Sequence, residues 1–79
     1  MTKEEIFKKL QDIFQDIFDD KKLEIQESTN SDDIENWDSL NHINLVIAIE
    51  NEFGIKFSFD ELATLNNVGA MVNLMMKKL

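Results

Sequence analysis

The sequence predicts an all-α fold, a small four-helix bundle with a long first loop and a short third helix. Three observations predict it. Apolar residues recur at three- and four-residue intervals in separate segments, and no stretch alternates apolar and polar residues as a strand does. Helix-capping residues, Thr2, Asp38, Ser58 and Asn67, stand ahead of those segments. At 79 residues the chain suits one domain, residues 1–79, with a modest apolar core and a stability of only a few kcal/mol.

Thr2 and Glu5 have the spacing of a capping box. Behind them Ile6, Leu10, Ile13, Phe14, Ile17 and Phe18 form one apolar face, which predicts a scaffold helix over about 3–18. Residues 19–38 show no sustained helical period. Leu23, Ile25, Ile34 and Trp37 are isolated apolar pins in a polar stretch without proline or glycine, so it reads as a long loop fastened to the core. Its acids, Asp32, Asp33 and Glu35, miss the alternate-position pattern of a calcium loop, and the turn glycine is absent.

A second helix is expected from Ser39 to Phe53, with Asp38 as its cap and Gly54 as its stop. Leu45, Val46, Ala48, Ile49 and Phe53 make a core stripe. Leu40, Ile43 and Ile47 make another, on the same side as the opening serine. Two stripes mean either a helix packed on most sides or an apolar patch left for a partner. Ser58 and Glu61 form a second capping box before a short helix over about 59–65, carrying Phe59, Leu62 and Leu65. Asn67 then caps a last helix over about 68–78, with Val68, Met71, Val72, Leu74 and Met75; Gly69 in its first turn is a mild local cost.

The formal net charge is −8, and it is concentrated. Residues 28–61 hold Asp32, Asp33, Glu35, Asp38, Glu50, Glu52, Asp60 and Glu61 against the single base Lys56. This acidic field surrounds Ser39. It disfavours nucleic acid and anionic membranes and favours basic protein surfaces. There is no cysteine, hence no disulfide, no thiolate zinc site and no thiol nucleophile; thiol chemistry would have to come from something attached. No apolar run approaches the roughly 20 residues of a membrane span, and the first residues lack a signal-peptide core, so a cytoplasmic location is expected.

Ser39 falls in the first turn of the second helix. A phosphate ester there would meet free backbone N–H groups and the positive end of the helix dipole. Asp38, Ser39 and His42 also contain the residue types of a hydrolase triad. A triad needs an acid behind the histidine, an oxyanion hole and a substrate pocket, and a chain of this size has little room for them. The single histidine reads as a surface residue near the serine. One histidine with scattered carboxylates supplies no closed set of metal ligands. Covalent carriage asks for less: an exposed hydroxyl at a helix start, an acidic surround and a soft apolar interior.

Asp38-Ser39-Leu40, followed by Asn41-His42-Ile43-Asn44-Leu45-Val46-Ile47-Ala48-Ile49-Glu50-Asn51-Glu52-Phe53-Gly54-Ile55, resembles an acyl carrier protein. The similarity extends over nearly the whole chain in length, acidity and helix order. It implies a non-catalytic carrier in which Ser39 takes a 4′-phosphopantetheine arm from coenzyme A through a phosphopantetheinyl transferase. It also implies that the second helix is the recognition surface: Leu40, Ile43 and Ile47 meet apolar patches, and Asp38, Glu50 and Glu52 face basic residues of acyl-loading ligases or synthases. A monomer is expected. Fatty-acid-synthesis carriers often have acids at the positions of Asn41, Asn44 and Asn51, and a glycine shortly before the Asp-Ser-Leu, where this chain has Asn36-Trp37. A fatty-acid carrier, a carrier of a specialised acyl or polyketide pathway and an aminoacyl or peptidyl carrier all stay open. So does an unmodified acidic interaction module.

Overall fold

A computed structural model describes residues 1–79. Four helices follow one another without a strand: α1 (Lys3–Ile17), α2 (Ser39–Phe53), α3 (Phe59–Leu62) and α4 (Val68–Lys78). Each begins at the residue its sequence marks. Thr2 accepts from the Glu5 N–H at 3.2 Å while Glu5 accepts from the Thr2 N–H at 3.0 Å. Ser58 and Glu61 repeat the exchange at 3.2 and 2.7 Å. Asp38 and Asn67 cap α2 and α4 through the N–H groups of Asn41 and Ala70. Gly54 ends α2 in the left-handed conformation, at φ 66°.

The core forms where the apolar faces meet. α1 packs on both α2 and α4, burying Ile6, Leu10 and Phe14 against Leu45 and Ile49 of α2 and Val68, Met71, Val72 and Met75 of α4. These side chains are almost wholly removed from water, and each contributes on the order of 2 kcal/mol. The ion pairs Lys9–Glu52, exposed, and Lys78–Glu61, half-buried, add little by comparison. Lys78 and the Ser58 N–H nevertheless hold the Glu61 carboxyl below the usual carboxylate range.

Two boundaries differ from the sequence-based expectation. α1 ends at Ile17, with Phe18 as its cap. α3 is shorter than the predicted span to 65. The Thr64 hydroxyl and N–H both turn back onto the Glu61 carbonyl, at 2.7 and 2.9 Å. That local bonding competes with helix propagation and turns the chain so that Leu65 enters the core.

The long loop is tied down along its length. Gln11 and Gln15 of α1 reach the Ile25 N–H and the Leu23 carbonyl at 2.8 and 2.9 Å. The Thr29 and Glu27 carbonyls accept from the Val68 and Gly69 N–H groups, both at 2.9 Å, so loop backbone satisfies the orphan donors at the start of α4. Ile25, Ile34 and Trp37 enter the core as pins, joined by buried Thr29. The loop thereby delivers the chain to the start of α2 in one fixed geometry.

Candidate functional site

Ser39 is the first residue of α2 and is exposed. The turn before it is built by asparagine. Asn36 stands at φ 73°, in the left-handed region that asparagine tolerates better than most residues. Its carbonyl accepts from the Asp38 N–H at 2.8 Å and from Asn41 Nδ2 at 2.7 Å. Asp38 is then extended and places Oδ1 at 2.9 Å from the Asn41 N–H, while its carbonyl accepts the first helical bond, from His42. The N–H groups of Ser39 and Leu40 donate to no protein acceptor. The serine hydroxyl therefore stands beside two free backbone donors.

Trp37, the residue between Asn36 and the cap, turns inward. Its ring meets Phe14 edge-on at 5.3 Å and Phe18 at 6.1 Å, and it lies edge to edge with His42, centroids 6.1 Å apart and ring planes 19° apart. The indole Nε1–H donates to His42 Nδ1 at 3.0 Å. His42 is thus half-buried and partnered, not the free surface residue expected from the sequence. Burial lowers its pKa. The same contacts dismiss a triad: Nδ1 is occupied by an indole donor, and the Asp38 carboxylate serves the helix cap. No acid orients the histidine.

Ser39, Asp38, Trp37, His42, Ile43 and Leu62 line one side-opening groove of ≈ 770 Å³, completed by loop residues around Asn30 and Asn67. Beyond it α2 presents its second apolar stripe to solvent. Leu40 is 69% exposed, Ile43 56% and Ile47 49%, so the stripe is an open patch and not a second packed face. Glu52 lies outside with Lys9 at 3.6 Å. Glu50 is half-buried, and its Oε2 accepts from the Phe57 N–H at 2.9 Å, so part of its carboxylate is committed to the turn after α2. Sequence reasoning missed that bond, the Trp37–His42 pair and the Asn36–Asn41 brace. The only available signal was an indole donor and an imidazole acceptor spaced to meet across a helix cap.

Residues 8–75 match the family model described as a phosphopantetheine attachment site. The chain belongs to the acyl carrier protein family. It is 34% identical to the acyl carrier protein of Lactobacillus acidophilus over 73 residues, 92% of this chain and 91% of that one. It is equally identical to the acyl carrier protein of Petrotoga mobilis over 79 residues, covering 100% and 93% of the two chains. The solution structure of holo acyl carrier protein from Geobacter metallireducens superposes with a TM-score of 0.87 at 40% identity, covering 92% of this chain and 84% of that one. Acyl carrier proteins are carriers and not catalysts, and they bear phosphopantetheine covalently. The site fits such a group on its own chemistry: a free hydroxyl, two unpartnered N–H donors that suit a phosphodiester, and a groove beside them.

Proposed function

We propose that Ser39 is the residue that carries phosphopantetheine, and that residues 1–79 work as one carrier domain. When bound, the arm supplies a thiol on which acyl groups travel as thioesters. The observation that supports the site is the Ser39 hydroxyl itself, exposed at the start of α2 beside the free N–H groups of Ser39 and Leu40. Those groups accommodate the negative charge of a phosphodiester in a region that is otherwise acidic. Asp38 holds the helix start in place, and Asn41 braces the turn ahead of it.

The recognition surface in this reading is the exposed side of α2. Leu40, Ile43 and Ile47 meet apolar patches of a phosphopantetheinyl transferase and of acyl-loading ligases or synthases. Asp38 and Glu50 face the basic residues around those patches, Glu50 with the oxygen left free by the Phe57 N–H, and Glu52 adds charge from the α1 side of the helix, where it pairs with Lys9. The cargo belongs to fatty-acid synthesis or to a dedicated acyl or polyketide pathway.

The test is the intact mass of the protein after incubation with coenzyme A, magnesium and a broad-specificity phosphopantetheinyl transferase. The parent is expected to gain one phosphopantetheine, and Ser39→Ala none while remaining folded, because an exposed hydroxyl contributes little to stability. A gain that survives in Ser39→Ala would exclude Ser39 as the site.

A further inference from the structure

We infer that His42 is a positioning residue for the group carried at Ser39: its Nε2–H donates to the phosphodiester, and Trp37 sets the tautomer that makes Nε2 the donor. This rests on the reading of Ser39 as the attachment residue. An indole N–H donates and cannot accept. Its contact with His42 Nδ1 at 3.0 Å therefore requires a lone pair on Nδ1, and the proton of the neutral imidazole must sit on Nε2. Protonating Nδ1 would set two N–H groups against each other, and burial also disfavours the charged ring. The near-coplanar, edge-to-edge arrangement with Trp37, 19° between the ring planes, suits an in-plane hydrogen bond and orients the imidazole.

Nε2 makes no hydrogen bond within the protein, yet no buried side-chain nitrogen or oxygen lacks a partner. Nε2 is therefore open to solvent, on a residue that lines the groove with Ser39. The two residues stand three apart on α2, where Cβ atoms are about 5–6 Å from each other. That separation is about what a phosphate on the serine oxygen bridges to reach an N–H donor. Besides Ser39 itself, His42 is the only groove-lining residue of α2 with a donor side chain. The charged groups that share the groove are the carboxylates of Asp32 in the loop and Asp38 at the cap. α3 and the segment after it contribute Leu62, Leu65, Asn66 and Asn67, none charged, and α1 contributes the rings behind Trp37. No lysine or arginine lines the groove to compete for a phosphodiester there.

The experiment is an NMR titration of the full chain before and after phosphopantetheine is attached. His42 is the only histidine, so its imidazole signals need no assignment by mutation. Attachment is expected to raise the His42 pKa by about half a unit or more, since an anion at Nε2 favours the imidazolium. The phosphodiester ³¹P resonance is expected to move with the same midpoint. In attached His42→Gln, where an amide can accept from Trp37 and still donate, the ³¹P shift stays near that of the parent at neutral pH; in His42→Phe it moves away. An unchanged His42 pKa with a flat ³¹P shift overturns the inference while leaving Ser39 as the site. Attachment that persists in Ser39→Ala, read by mass, overturns both.

Discussion

At the scale of single residues, the start of α2 depends on Asn36 holding a backbone conformation that costs most L-residues about 1–2 kcal/mol. At φ 73° it takes the left-handed region, which glycine enters at no steric cost and asparagine at less than most residues. The amide of Asn41 then completes the turn by donating to the Asn36 carbonyl, which a carboxylate at that position could not do. Asn36→Ala is therefore expected to lower the unfolding free energy by about 1–2 kcal/mol, and Asn36→Gly to leave it nearly unchanged. Urea denaturation followed through Trp37 fluorescence measures both, and equal losses in the two variants would show that φ is not the cause. Asp38 and Ser39 were legible in the sequence because a cap joins residues three apart and depends only on local chemistry. The Trp37–His42 bond was not, because it needs the fold to turn Trp37 inward before the imidazole can meet it.

At the scale of elements, all four helices were legible from period and caps, while the fate of the second stripe of α2 was not. Periodicity says which residues share a face and not what covers that face. Leu40, Ile43 and Ile47 lie open because α1 takes the stripe of Leu45 and Ile49 and no other element covers the rest. Ile43→Asp and Ile47→Asp are thus expected to change stability by under about 1 kcal/mol yet slow phosphopantetheine transfer several-fold; transfer at the parent rate in a folded variant would remove the patch from the interface. Gly69 carries the opposite lesson. Read locally it weakens α4, but its N–H meets the Glu27 carbonyl at 2.9 Å and an added Cβ would lie 3.0 Å from the same oxygen. A methyl group there would have to push the loop carbonyl back by a few tenths of an ångström. Gly69→Ala is expected to lose about 1 kcal/mol net, a crowding cost of about 2 kcal/mol outweighing the roughly 1 kcal/mol by which alanine favours the helix. Thermal melts monitored by circular dichroism decide it, and a gain in stability would mean that the loop yields freely. How the loop docks was not legible, because its ties to α4 join backbone groups far apart in the chain and leave no side-chain pattern.

At the scale of the whole molecule, the charge to which the proposed function assigns recognition works against the fold. Residues 28–61 carry eight acids against Lys56 within a net charge of −8. All of it is held in a body of 28 × 25 × 22 Å. Like charges at such distances repel the chain from its compact state, and a domain this small has little stability in reserve. Added salt shortens the Debye length from about 20 Å near 20 mM to about 6 Å near 300 mM. It therefore acts on the two roles with opposite sign. The melting temperature is expected to rise across that range as self-repulsion is screened. The KM for this protein as substrate of a phosphopantetheinyl transferase is expected to rise several-fold over the same range, because screening weakens the attraction between the acidic surface and a basic enzyme. Parallel melts and initial rates across the salt series separate the effects. A KM that stays flat while the melting temperature climbs would mean that the acidic field acts only on the fold, leaving the apolar stripe of α2 to select the partner.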